Sequence, residues 1–219
     1  ADVMSVESFR RVQSMKKLLP MFLAAAMLVG CSSNAPASNG SASGGATGGK
    51  TITVGVPIYQ FNDNFMTVYR GEIQKFFEEQ GAKDGNTYDV RIVDGNNDMA
   101  TQTEQVNTFI SQGVDVMLVN LVQTSSGETI AQACKDANIP VVFINREMDG
   151  YEYPENQCYV GADARQSGTY QGEIIRDLAD KGDLNGDGKV SYIMIMGDPE
   201  NSDAQYRTEF SIKALTDAG

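Results

Sequence analysis

From Lys50 onward, apolar positions recur in two alternating rhythms. Residues 51–56, Thr-Ile-Thr-Val-Gly-Val, form a β-rich run. Phe65, Tyr69, Ile73, Phe76 and Phe77 then return at the three- and four-residue spacings of a helix with one apolar face. Residues 81–87 break that pattern. The alternation resumes with a strand at 88–93, a helix at 99–112, a strand at 114–120 and a helix at 125–138. Val141-Val142-Phe143-Ile144 is a fully apolar strand, and 158–161 adds another. A helix at 165–180, a buried strand at 191–196 and a helix at 202–215 complete the pattern. Short apolar strands joined by helices predict an α/β fold: a doubly wound parallel sheet covered on both faces. The pattern stops on a helix end at Asp217-Ala218-Gly219. Such a fold is expected to run on to a further strand, so the chain reads as the N-terminal part of a longer protein.

The first fifty residues follow neither rhythm. Met15-Lys16-Lys17 opens a basic segment, and 18–29 is an apolar run of twelve residues, too short to span about 30 Å of hydrocarbon as a helix. It reads as the hydrophobic part of a secretory signal, with residues 1–14 upstream of the natural start. Leu28-Val29-Gly30-Cys31 resembles the bacterial lipobox, which implies Cys31 as the lipid attachment site. Residues 32–50 are rich in Ser, Gly, Ala and Asn and read as a flexible tether. The expected divisions are therefore 1–30 as signal segment, 31–50 as lipidated tether, 51–161 as a first lobe and 162–219 as the start of a second. The expected location is outside the cytoplasmic membrane, attached by lipid to its outer face or in the periplasm.

Composition removes several chemistries. The 219 residues contain no His, which excludes Ser-His-Asp triads, Cys-His dyads and imidazole-bound zinc within this chain. Seventeen Lys and Arg stand against 29 Asp and Glu, for a formal charge of −12, which becomes −14 once 1–30 are removed. An acidic chain with no basic cluster is a poor partner for nucleic acid. With Cys31 assigned to lipid, Cys134 and Cys158 remain as an even pair in an oxidising compartment, and the sequence leaves open whether they are bridged.

In open α/β sheets ligands sit beyond the carboxyl ends of the strands. The residues there are Tyr59, Asp63 and Phe65 after the first strand, Asn120 after the third, Asn145 and Arg146 after the fourth, and Asn201, Asp203 and Arg207 after the sixth. Amides, carboxylates, guanidinium groups and aromatic faces suit a polyhydroxylated ligand, whose hydroxyls both donate and accept. A phosphate ligand would ask for a Gly-rich turn with Lys, and neither is present at these positions.

Four ordered stretches carry a family resemblance. They are Val56-Pro57-Ile58-Tyr59-Gln60-Phe61-Asn62-Asp63-Asn64-Phe65-Met66, Val141-Val142-Phe143-Ile144-Asn145-Arg146-Glu147, Tyr159-Val160-Gly161-Ala162-Asp163, and Gly197-Asp198-Pro199 continuing through Asp203-Ala204-Gln205-Tyr206-Arg207-Thr208. Together they resemble the bacterial galactose/glucose-binding family of type I periplasmic binding proteins. The resemblance implies two lobes that close on a monosaccharide and a partnership with an importer of the ATP-binding-cassette (ABC) type, in some bacteria also with a chemoreceptor. It implies that Tyr59, Asp63 and Phe65 line the first-lobe side, Phe65 stacking on the sugar and Asp63 reading a ring hydroxyl. It implies Asn145 as a first-lobe amide and Asp203 and Arg207 as second-lobe contacts. Asn201 stands where the family usually has His. On the residues alone, Asp203 and Arg207 also fit a surface pair, and Ser202 with Gln205 a capping box. The same fold also carries pentoses, other polyols and a signalling furanone. A sugar-responsive repressor would need an N-terminal helix-turn-helix, and a glycosidase would need two facing carboxylates that no spacing here requires.

Asp183-Leu184-Asn185-Gly186-Asp187-Gly188-Lys189-Val190-Ser191 has the pattern of a calcium loop: oxygen side chains at positions 1, 3 and 5, Gly at 6, a backbone carbonyl from Lys189 at 7 and a hydroxyl from Ser191 at 9. Position 12 is Met194, so the bidentate Glu is missing. The family resemblance implies a structural Ca2+ whose closing carboxylate comes from further along the chain. A plain Asp/Asn/Gly turn is the alternative.

Overall fold

The computed structural model describes residues 49–219. Five parallel strands form one sheet in the order β2-β1-β3-β4-β5: β1 (Thr51–Ile58), β2 (Thr87–Asp94), β3 (Val116–Val119), β4 (Val141–Ile144) and β5 (Gln157–Val160). Helices α1 (Asn64–Asp84), α2 (Met99–Gln112) and α3 (Gly127–Asp136) are the crossovers, and α3 is preceded by a 3-10 turn at Thr124–Ser126. The expected doubly wound parallel sheet is therefore formed, and its strand order reverses between β1 and β3, where such folds open a crevice.

Each face of the sheet has its own core. In β1, Val54, Val56 and Ile58 are fully buried and point with Met66, Tyr69, Ile73 and Phe77 into the layer under α1. On the other face Val106 and Phe109 of α2, Ile130, Ala131 and Cys134 of α3, and Met117, Val119, Val141 and Phe143 of the strands close a second layer. Gly55 belongs here by close approach: a Cβ would lie 2.9 Å from the Phe109 ring, so a larger residue would push α2 off the sheet. The helices stop where sequence chemistry stops them, with Asp98 capping α2 at its start through the Thr101 N–H and Gly113 leaving it in the left-handed region at φ 67°.

Helices α4 (Ala164–Arg176) and α5 (Ser202–Thr216) follow the sheet and pack against each other. Their backbones nearly touch, because a Cβ on Gly168 would fall 2.8 Å from the Arg207 carbonyl and one on Gly172 2.5 Å from that of Ser211.

The strand expected at 191–196 is not formed. Parallel strands exist only as members of a ladder, and among the described residues nothing pairs with this segment. Ile193 is 91% and Ile195 88% exposed, so apolar content alone has not made it a buried strand. The helix expected at 165–180 ends earlier, at Arg176, and 177–190 is turns and bends. The apolar face expected of α1 is also divided: Tyr69, Ile73 and Phe77 join the core, while Phe65 and Phe76 face solvent. Among the described residues Cys134 and Cys158 are not bridged, and both are thiols. Cys134 is buried beside the Met117 sulfur at 3.9 Å, and burial raises its pKa to about 11. No helix among the described residues is long and apolar enough to cross a membrane. The signal segment, Cys31 and most of the tether lie outside the described residues.

Candidate functional site

Beyond the carboxyl ends of β1, β4 and β5 lies an open cleft of about 870 Å³. One wall is the β1–α1 turn, the floor is the turn after β4, and the far wall is the start of α5 with the segment before it. Of the nine strand-end residues suited to a polyhydroxylated ligand, Tyr59, Asp63, Phe65, Asn145, Arg146, Asn201, Asp203 and Arg207 line this one space, and Asn120 does not. They come from positions up to 148 residues apart, so only the topology unites them.

Asp63 has two scaffold duties. One carboxylate oxygen caps α1 by accepting the Met66 N–H at 2.7 Å, and the other accepts the Tyr59 hydroxyl at 2.7 Å. The backbone bond above all, with help from Tyr59, holds its pKa below the ordinary value against a smaller opposing effect of burial. Phe65, in the first turn of α1, is 60% exposed at the cleft and stacks on Tyr69 with centroids 5.7 Å apart and planes 13° from parallel. An exposed aromatic face beside a concave polar surface is what a sugar C–H face would cover. Asn145 sits in the left-handed region at φ 67°, which a short amide tolerates, and its backbone ties β4 to β5 through the Val160 carbonyl and the Tyr159 hydroxyl.

On the far wall, Asn201 rather than Ser202 caps α5, its side-chain oxygen accepting the Asp203 N–H at 3.0 Å. The capping box considered for Ser202 and Gln205 is not made. Ser202 instead donates across to the Glu147 carbonyl at 2.9 Å, and Gln205 reaches back to the Pro199 carbonyl. Asp203 is 8% exposed, yet borders the cleft and meets Arg207 at 3.5 Å. Burial raises its pKa, Arg207 works against that, and Glu147 adds to it. This is not the solvated surface pair that spacing alone allowed, because one partner is desolvated.

Arg146 belongs to the cleft lining, although sequence pattern marks it only as a strand-end residue. It is 6% exposed, its guanidinium lies 4.0 Å from the centre of the Tyr59 ring, and one terminal nitrogen donates to the Val122 carbonyl. Its Nε is buried with no partner among the described residues. Desolvation draws its pKa down, while Tyr59, Asp198 and Asp203 oppose that. The sequence signal was available in the position itself, directly after the most apolar strand. Beneath the floor, Asn120 and Gln102 are fully buried and stitch strand ends together: Asn120 bonds the Tyr59 N–H and the Ile144 carbonyl, and Gln102 bonds the Asn120 carbonyl and the Val122 N–H. Asn120 is therefore scaffold, not cleft lining. Gln102 lay on a predicted helix and carried no sequence signal.

The lining thus offers carboxylates at Asp63, Asp198 and Asp203, guanidinium groups at Arg146 and Arg207, and amides at Asn145 and Asn201. Mixed polarity with no dominant sign suits a neutral, multiply hydroxylated molecule better than an anion.

The loop at 183–191 lies apart from the cleft lining. Asp183 gathers the N–H groups of Gly186, Asp187 and Gly188, and Asp187 accepts from Lys189 N–H and the Asn185 amide. Gly186 and Gly188 take φ 73° and 79°, which the sharp turn requires. Oxygen donors suit a hard cation. Among the described residues, however, no group of three acidic, Cys or His side chains converges here, and the Met194 side chain supplies no oxygen.

Comparison with known proteins agrees with this geometry. Residues 54–219 match the family model described as periplasmic binding protein domain. The D-galactose/methyl-galactoside binding periplasmic protein MglB of Haemophilus influenzae is 35% identical over 171 residues, covering 76% of this chain and 50% of that protein. The putative rhizopine-binding protein of Rhizobium meliloti is 33% identical, covering 75% and 50%. Among solved structures, an ABC transporter solute binding protein from Bacillus halodurans with bound myo-inositol superposes with a TM-score of 0.60 at 27% identity, covering 79% of this chain and 55% of that one. A protein from Mycobacterium smegmatis in complex with β-D-fucofuranose gives a TM-score of 0.65 at 22% identity and supports the fold. The chain spans about half the length of the curated relatives it matches. With the family model covering residues 54–219 and the sheet, crevice and strand-end residues in that arrangement, the chain belongs to the periplasmic binding protein domain family.

Proposed function

We propose that this chain is the ligand-capturing part of an extracytoplasmic solute-binding protein that takes a neutral monosaccharide or related polyol and delivers it to an ABC importer. It is a binding component, not an enzyme. The observation that carries the reading is the convergence of Asp63, Phe65, Asn145, Arg146, Asp203 and Arg207 on one cleft, with an exposed aromatic face beside charged hydrogen-bonding groups. Each charged hydrogen bond contributes roughly 1.5–3 kcal/mol, so three or four of them with one aromatic wall give usable affinity after the ordering cost. A glucose- or galactose-like hexose is the favoured ligand, in keeping with the name of the Haemophilus relative. Pentoses and cyclitols are the second reading, favoured by the name of the ribose import binding protein from Bacillus subtilis, 30% identical over 133 residues, and by the myo-inositol in the Bacillus halodurans structure.

Calorimetric titration of the intact protein with hexoses, pentoses, myo-inositol and the corresponding uronates and sugar phosphates tests this. At least one neutral compound should bind at micromolar or tighter affinity, and no anionic one should compete with it. Preference for an anion would overturn the reading.

Two further elements of the proposal rest on sequence pattern. Cys31 is the lipid attachment point, so labelled palmitate should enter the protein expressed from Met15 and not its Cys31→Ala form. The 183–191 loop holds a structural Ca2+ through Asp183, Asn185, Asp187, the Lys189 carbonyl and Ser191, an incomplete set of five oxygens that water or another carboxylate must extend toward the six to eight calcium takes. The proposal includes a chemoreceptor as a second partner, as the family resemblance implies.

A further inference from the structure

Three contacts outside the cleft join the loop after β4 to the helix pair that carries the far wall. Arg165, in the first turn of α4, reaches Glu147 at 3.4 Å and Asp149 at 2.9 Å. The same guanidinium lies 3.8 Å from the centre of the Tyr206 ring on α5. Ser202, at the start of α5, donates to the Glu147 carbonyl at 2.9 Å. None of Glu147, Asp149, Arg165, Ser202 and Tyr206 lines the cleft.

Their placement relative to the ligand residues is what gives them a role. Asn145 and Arg146 directly precede Glu147, while Asn201, Asp203 and Arg207 surround Ser202 and Tyr206 on α5. At Gly168 the backbones of α4 and α5 approach too closely for a Cβ, so the two helices move as one body. Apart from the clamp contacts, the chain at 161–163 is the covalent link from the sheet to that body.

We infer that Arg165 is a positioning residue: with Glu147, Asp149 and Tyr206 it clamps the α4–α5 body to the β4 loop and sets the distance across which Asp203 and Arg207 face Asn145 and Arg146. The inference deepens the proposed function and rests on it for its affinity arm. A stacked, doubly paired guanidinium is suited to this because its planar fork fixes orientation as well as distance. Releasing it lets the far wall swing away. If only one unclamped molecule in ten is in the aligned arrangement, apparent affinity falls by about tenfold, with no ligand contact removed.

The test uses the intact protein with Arg165→Met and with the charge-keeping Arg165→Lys. Small-angle scattering of the ligand-free protein should show a larger radius of gyration for Arg165→Met, and its best sugar should bind about tenfold more weakly. Arg165→Lys keeps a cation toward Glu147, Asp149 and the Tyr206 ring and should recover at least half of both changes, which mere loss of a packing contact would not allow. Unchanged scattering in Arg165→Met, or failure of Arg165→Lys to recover, overturns the clamp. If the wild-type protein binds no sugar, the proposed function falls while the scattering comparison still decides the clamp.

Discussion

Asp203 lines the cleft at a cost in stability, and the proposed function gives that cost a use. Its carboxyl is nearly buried, and Arg207, half exposed at 3.5 Å, compensates only in part. A carboxyl whose folded pKa is raised keeps its proton longer in the folded state than in the unfolded chain. Its contribution therefore declines as pH rises from the unfolded value through the raised folded one, and at neutral pH it is destabilising. Asp203→Asn should raise the ligand-free melting temperature at pH 7 by about 2–4 °C, on the order of 1 kcal/mol for a chain this size, while weakening binding of the best sugar. The gain should shrink toward pH 4. A melting temperature that falls at pH 7 would contradict this account. Asp63 gives the opposite case. Its lowered pKa makes its stabilisation fully present at neutral pH and lost as the carboxyl protonates in acid. Replacing it also removes a helix cap, by itself about 1 kcal/mol, so Asp63 is a less clean probe of the ligand than Asp203. Residue identity was legible in the sequence at both positions. The second duty of each side chain was not, because capping and burial depend on neighbours brought in by folding.

At the scale of elements, the five paired strands and helices α2, α3 and α5 lie close to where hydrophobic rhythm places them, with α2 and β4 agreeing to the residue, while α1 runs on to Asp84 through residues expected to break it, ending only at the left-handed Gly85, and α4 stops early at Arg176. The rhythm is reliable where a strand is held on both sides and covered on both faces. It fails at 191–196, where Tyr192, Ile193 and Ile195 have strand-like composition but no ladder among the described residues. Period also cannot separate a core aromatic from an exposed one on the same helix, as Phe65 and Tyr69 illustrate. The adjoining loop at 183–191 can be tested as an element. Bound calcium would favour the folded state by mass action, so excess calcium and chelator should give the intact protein different melting temperatures. Asp187→Ala should abolish the difference. Equal melting temperatures for the unaltered protein would leave the loop as a turn, which its own Asp183 and Asp187 hydrogen bonds already maintain.

For the whole molecule, the sheet order puts the ends of β1 and β4 at the crevice, and the α4–α5 body faces them with Asp203 and Arg207. Under the proposed function, a ligand is held between two surfaces. The first supplies an aromatic face, Asn145 and Arg146; the second supplies a buried carboxylate and a guanidinium. Arg146, unpaired at Nε among the described residues, and Asp203, only partly compensated, are both left with hydrogen-bonding capacity that a hydroxylated ligand would satisfy. The most direct test is a crystal structure of the intact protein with its tightest-binding neutral sugar. The ring should lie against Phe65, with Asn145, Arg146, Asp203 and Arg207 within hydrogen-bond distance of its hydroxyls. A sugar bound elsewhere, or seated here without contact to Asp203 and Arg207, would contradict the account.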